Sequence, residues 1–231
     1  MSASRRPRLR RYLPMARLRL YDYPASANCY KVRLLLAQLD IQYERVPIDI
    51  FAGDTLTDEY ARINPLRFTP ALEVSPGHCL VESNAILCYL ASGTPLLPIE
   101  PIAHAEVVRW LIYEQTDIMP ATGGLRFRLQ TGRLAANDPE ANTRRAAGVD
   151  VLSFVDGHLA TRAFLVGDAY SIADIAAYGY LHVADEAGFE VDRWPALSRW
   201  LRRVAAQPRH VSDLAPYPQN ARPGAGRSIY D

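Results

Sequence analysis

The 231-residue sequence contains no apolar run of eighteen residues, which removes a membrane-spanning helix from consideration. Only three cysteines occur, Cys29, Cys79 and Cys88, an odd count with no CxxC pair and no zinc-ligand spacing. That excludes a disulfide framework and a dithiol redox motif. It points to a reducing compartment, so a cytoplasmic setting is expected. The five histidines stand singly, so no metal site is expected. Acidic residues are missing from positions 1–21, where seven arginines fall. The remainder of the chain is therefore mildly acidic, which argues against nucleic acid as a partner.

Residues 1–16 form a basic leader without the apolar core of a secretory signal, and Pro7 and Pro14 interrupt any amphipathic helix. Two readings fit: a disordered arm, or a start codon placed early with Met15 as the true start.

What is present divides into two halves. "RLRLYD" (17–22) alternates as a strand does, and "NCYKVRLLLAQLD" carries Val32, Leu35, Leu36 and Leu39 at helical spacing. "IQYERVPIDI" reads as a second strand, and "TLTDEYARIN" as a short helix stopped by Asn64-Pro65. "PALEV" and "HCLVE" flank the turn signal "SPG", and "SNAILCYLA" closes the series as a helix. The order β-α-β-α-β-β-α implies a small mixed sheet covered by helices. After the proline-marked stretch 94–100, strand signals vanish. Helices are expected over 101–131, 140–161, 172–187 and 195–206. The expected organisation is a sheet domain at 17–93, a linker at 94–100, a helical domain at 101–215 and an irregular Pro/Gly-rich tail at 216–231. "SIADI" (171–175) has the form of a capping box, in which Ser171 and Asp174 satisfy each other's free amides.

Three features of the first half carry chemistry. Thr69-Pro70 opens the strand "PALEV". A cis bond there exposes the Thr69 backbone for pairing with an extended peptide; the plainer reading is a trans proline starting an edge strand. In "VESNAI", Ser83 stands at a helix start, where free amides favour a carboxylate, and Glu82 can hold an ammonium group beside it. The plainer reading is an N-cap next to a solvated glutamate. In "PASANCYKV", Ser26 falls between a strand end and a helix start, where its hydroxyl can donate to a thiolate. Again the alternative is an N-cap alone. A zwitterion site, a backbone-pairing site and a thiolate site together describe γ-glutamyl-cysteinyl-glycine, that is, glutathione.

The order "SANCYKVRLLLA…NPLRFTPALEV…VESNAILCYLA" resembles the thioredoxin-like domain of cytosolic glutathione transferases, and the helical half with its "SIADI" box is similar to that family's second domain. The resemblance covers about residues 17–207. It implies an α/β thioredoxin-like N-terminal domain followed by an all-α domain, and a serine-type, theta-like or nu-like bacterial member. By the same resemblance Pro70 is cis, Thr69 pairs with the cysteinyl backbone, and Glu82 and Ser83 bind the γ-glutamyl end. Ser26 activates the thiol, Asn28 assists, and Arg67 and Phe68 lie toward the glycyl carboxylate. Cys29 is read as a packing residue. The tyrosine used by other classes aligns with Asp22, between Tyr21 and Tyr23, where a one-residue slip would restore a phenol. The helical half is expected to supply an electrophile pocket drawn from Tyr113, Met119, Leu125, Arg126 and Phe127, with plain core as the alternative for its apolar members.

The implied activity is conjugation of glutathione, as co-substrate, to small electrophilic apolar substrates by a homodimer, without a metal. Two alternatives stand beside it: a nu-like glutathione-dependent disulfide or peroxide reductase, and a non-catalytic glutathione- or protein-binding module.

Overall fold

The structure, a computed structural model, describes residues 17–230; the basic leader expected over 1–16 lies outside the described residues. Strand β1 (Leu18–Asp22) pairs in parallel with β2 (Tyr43–Pro47) and antiparallel with β3 (Ala71–Ser75), which pairs with β4 (His78–Val81), so the sheet order is β2-β1-β3-β4. The β3–β4 hairpin turns at Pro76-Gly77, where Gly77 takes φ 74°, a region open mainly to glycine. Helix α1 (Ala27–Gln38) makes the β1–β2 crossover, and α3 (Ser83–Ala91) follows β4. Leu20, Leu35 and Leu72 are fully buried with Ile86 and Leu87 in one continuous core. The short helix α2 (Asp58–Ile63) brings Tyr60 edge-on to Tyr21, ring centroids 6.3 Å apart, in a smaller cluster that also includes Ala71.

The second half is helical: α4 (Pro101–Tyr113), α5 (Gly124–Gln130), α6 (Pro139–Leu159), α7 (Ile172–Leu181) and α8 (Pro195–Ala205). Two expectations need correction. The stretch 101–131 is not one regular helix, because Glu114–Gly123 is wound as a wide π-helical segment. Pro120 lies inside it with no amide to donate, and the Gly124 amide reaches back five residues to the Met119 carbonyl. The helix expected over 172–187 ends at Leu181, followed by a separate 3₁₀ turn at Ala184–Ala187.

Helix α7 is the axis of this half, with all ten of its residues buried. The expected capping box is present: Ser171 caps the first turn and Asp174 returns a bond to the Ser171 amide at 3.0 Å. Asp174 also accepts from the Leu165 amide and the Trp200 indole, at 2.9 and 2.8 Å, so its carboxylate ties three segments together. A Cβ added at Gly179 would stand 3.3 Å from the Ala27 carbonyl oxygen, and that absence of a side chain lets α7 lie close against α1.

Beyond α8 the chain is irregular and mostly exposed or half-buried, but it is tied back to the sheet half at several points. The Ala215 amide donates to the Pro24 carbonyl at 3.1 Å, and the Arg227 amide to the Phe51 carbonyl at 2.8 Å. The Asn220 side-chain amide donates to Asp49 at 2.8 Å. This C-terminal segment therefore folds back from the helical half onto the sheet half.

Candidate active site

The two halves enclose a cavity of about 440 Å³. One wall is made by the ends of β1 and α1, a second by the loop before β3 and the start of α3, and a third by the π-helical segment and the C-terminal segment. Of the expected glutathione-site residues, Ser26, Asn28, Arg67, Phe68, Thr69, Pro70, Glu82 and Ser83 all line it. From the expected electrophile pocket it takes Met119, Arg126 and Phe127 but not Tyr113 or Leu125. Leu125 is fully buried in the main core, and Tyr113 packs against Trp110 and Phe154 at 5.5 and 5.1 Å. Both lie on helix faces turned toward other helices, a matter of helix rotation that spacing alone leaves open.

Ser26 has extended backbone (φ −80°, ψ 121°) and is the N-cap of α1. Its Oγ accepts from the Cys29 amide at 3.3 Å. The N-cap reading and the thiolate reading are thus compatible, since an oxygen that accepts one hydrogen bond still carries its own hydrogen to donate.

The Thr69-Pro70 bond is cis. The Tyr60 hydroxyl and the Asn64 side-chain amide both donate to the Phe68 carbonyl, at 2.9 and 2.8 Å, and fix the loop just before it. Arg67 and Glu82 both hold positive φ, 61° and 65°. Such non-glycine conformations persist only where surroundings enforce them, and they tend to collect at ligand sites. Arg67 is already engaged: its guanidinium donates to the Thr55 and Thr57 carbonyls, each at 2.9 Å.

Glu82 is the residue before α3 and its side chain makes no cap, while Ser83 opens the helix. The Ser83 hydroxyl donates to the Asn28 side-chain oxygen at 2.9 Å. Asn28 therefore links the first turns of α1 and α3 across the cavity floor.

The other aligned groups are accounted for. Asp22 is buried between the guanidiniums of Arg33, at 2.6 Å, and Arg45, and it does not line the cavity. The Tyr21 hydroxyl donates to Glu73 at 3.1 Å, away from the cavity. Tyr23, one residue past the strand end, does line it; its ring is buried and its hydroxyl has no partner among the described residues. Cys29 is fully buried, accepts from the Tyr23 amide at 3.4 Å, and burial pushes its thiol up to about 12, which keeps it protonated and agrees with a packing role.

Sequence reasoning missed the support behind this site. The Lys31 ammonium is fully buried and bonds Glu114 at 3.0 Å and Asn84 at 2.8 Å. Burial pulls its pKa down, against the pull of Glu114 that raises it. The Gln115 side chain, which lines the cavity, donates to Glu114 at 2.9 Å and approaches Asn28 at 3.5 Å. A lone lysine on a helix carries no sequence signal for burial; its partner lies 83 residues away.

Residues 16–92 match the family model described as glutathione S-transferase, N-terminal domain, and residues 115–208 match that of the C-terminal domain. The chain belongs to the glutathione S-transferase family. A glutathione S-transferase of Pseudomonas fluorescens, solved by crystallography, superposes with a TM-score of 0.83 at 40% identity over 87% of this chain and 100% of that one. Glutathione S-transferase 3 of Zea mays is 31% identical over 88% of this chain and 96% of its own length. Elongation factor 1-gamma of Artemia salina is 31% identical over 73% of this chain, which spans only 40% of that protein. The mixed sheet with its helices is the thioredoxin-like half of the transferase fold, and the helices from α4 onward are the second half. Among the described residues no helix is long and apolar enough to cross a membrane, and no group of three or more His, Cys, Asp or Glu is placed to hold a metal ion.

Proposed function

We propose that this chain is a glutathione transferase that joins the glutathione thiolate to small electrophilic apolar substrates. The observation that carries the reading is Ser26, which caps α1 and lines the same cavity as Thr69 and the start of α3. In this assignment the γ-glutamyl carboxylate meets the first amides of α3 and Ser83, and Glu82 holds the ammonium. Thr69, which lines the cavity beside Pro70, pairs through its own backbone with the cysteinyl residue. Arg67 and Phe68 border the glycyl end.

The sulfur then lies against Ser26. Its hydroxyl hydrogen and the positive end of α1 favour the thiolate over the thiol. The buried guanidinium of Arg126, 3.4 Å from the Ala25 carbonyl, adds positive charge near the same place, partly offset by its bond to Glu186 at 2.8 Å. The thiolate attacks the electrophilic carbon, the C–S bond forms, and the leaving group departs with the bonding pair. Met119 and Arg126 belong to the electrophile side of the cavity. The protein acts as a homodimer in a cytoplasmic setting, where its free cysteines stay reduced.

The test is a pair of variants. Ser26→Ala should lower kcat/KM for a model aryl halide by roughly 10²-fold, the scale of losing one hydrogen-bond donor to a developing or resident anion. Glutathione should still bind, and the pH at which its thiol ionises, read from thiolate ultraviolet absorbance, should rise. Tyr23→Phe removes the second hydroxyl on that wall. If Ser26→Ala leaves rate and ionisation unchanged while Tyr23→Phe abolishes them, the phenol and not the serine activates the thiol.

A second reading rests on the relative named as an elongation factor: a module that keeps the fold and binds glutathione or a protein without turnover. Glutathione binding with no transfer to any of several electrophiles would favour it. Disulfide reduction faster than conjugation, lost in Asn28→Ala, would favour the reductase.

A further inference from the structure

The C-terminal segment borders the cavity on the side assigned above to the electrophile. Tyr217, Ile229 and Tyr230 line it together with Phe127 of α5. The Phe127 ring lies 5.1 Å from Tyr230 and 5.6 Å from Tyr217, centroid to centroid. Phe51, from the sheet half, backs the group at 6.2–6.3 Å from Tyr230 and Phe127, and Tyr23 meets Phe51 edge-on at 5.9 Å. The rings therefore run without a break from the wall that holds Ser26 to the cavity's far end.

They are also held in place from behind. The Arg133 guanidinium stands 4.9 Å from the Phe127 centroid and 5.5 Å from that of Phe51, and Arg126 stands 4.8 Å from that of Tyr217. Cations over ring faces restrain the rings before any ligand arrives, which lowers the ordering cost of binding. The segment itself is seated by close backbone packing. A Cβ at Gly226 would fall 2.4 Å from the Asn220 carbonyl oxygen and 2.5 Å from that of Phe51, so only glycine fits there.

We infer that the C-terminal segment sets the electrophile specificity by completing an aromatic wall, in which Tyr230 and Tyr217 select planar aryl or benzyl electrophiles over small alkyl ones. The inference rests on the glutathione reading above and narrows its substrate class. For an aryl halide the sulfur bonds to the ring carbon, the carbon–halogen bond breaks and halide leaves; the proton of the thiol passes to solvent.

Calorimetric titration tests it without depending on turnover. The ligands are glutathione, S-methylglutathione and S-(2,4-dinitrophenyl)glutathione. The parent protein should bind the S-aryl compound roughly tenfold or more tightly than the S-methyl one, as expected for an aryl group packed among aromatic side chains. Tyr230→Ala and, independently, Gly226→Val, which unseats the segment without shortening the chain, should each remove most of that preference. Circular dichroism and thermal melting check that both variants are folded. Equal binding of the two conjugates by the parent, or a preference that survives both folded variants, overturns the aromatic wall alone. Failure of all three ligands to bind at millimolar concentration overturns the glutathione reading, and this inference with it.

Discussion

At the scale of single residues, the groups that face the cavity were legible where their chemistry is local. Ser26 and Ser83 announce themselves because a helix start leaves amides free, and Thr69 because the next residue is proline. Lys31 and Glu114 announce nothing, since each reads as an ordinary charged helix residue until the other half of the fold arrives. Their pair is fully buried, so its worth shows when one partner is removed. Lys31→Met should cost about 3–5 kcal/mol in urea unfolding, because Glu114 is left charged in an apolar setting. The double change Lys31→Met with Glu114→Leu should recover most of that loss. A cost for the single change no larger than that of a surface ion pair, below about 1 kcal/mol, would mean that Glu114 finds another partner or water.

At the scale of elements, strand alternation and helical spacing located the sheet and most helices, because each pattern reports which face is buried. The π-helical segment escaped, because the apolar positions around Pro120 still fit an ordinary helix. Gln115 and Met119, both in this segment, stand on the cavity wall. The close contact of α1 with α7 was equally silent. There His182 stacks on Tyr30 and on Tyr178, each with centroids 4.7 Å away, and donates to the Tyr178 carbonyl. Burial, opposed by that bond, pulls its pKa from the usual 6.5 down to about 4. The unfolded chain therefore takes up a proton near pH 6.5 that the folded one refuses until about pH 4. The stability associated with neutral His182 is complete above pH 6.5 and lost as pH falls toward 4. The loss is on the order of 3 kcal/mol across that window. Urea unfolding at stepped pH should show the parent protein losing ground to His182→Phe over this range. Parallel stability curves for the two would mean that His182 titrates normally.

At the scale of the whole molecule, the exposed apolar residues gather their meaning from the fold. Leu66 and Phe68, 62% and 44% exposed, project from the loop before β3, while Ile112 and Phe154 are 58% and 49% exposed on α4 and α6. A two-fold pairing that buries both sets would remove a large apolar area from water. Sedimentation velocity should accordingly give the mass of two chains of 25.8 kDa, and the double change Leu66→Glu with Phe68→Glu should shift it toward one. A parent protein that sediments as a single chain at micromolar concentration would remove the dimer.

What the sequence determined by itself was the order of elements, the capping box at Ser171 and Asp174, and the local geometry at Ser26, Thr69-Pro70 and Ser83. Each depends on neighbours within a few residues, where spacing and backbone preference suffice. Only the tertiary structure decided which helix faces meet the cavity, that Lys31 is paired rather than solvated, and that the C-terminal segment returns to line the cavity. Those outcomes depend on contacts between residues far apart in the chain, and the burial that creates them exists only once the two halves have packed together.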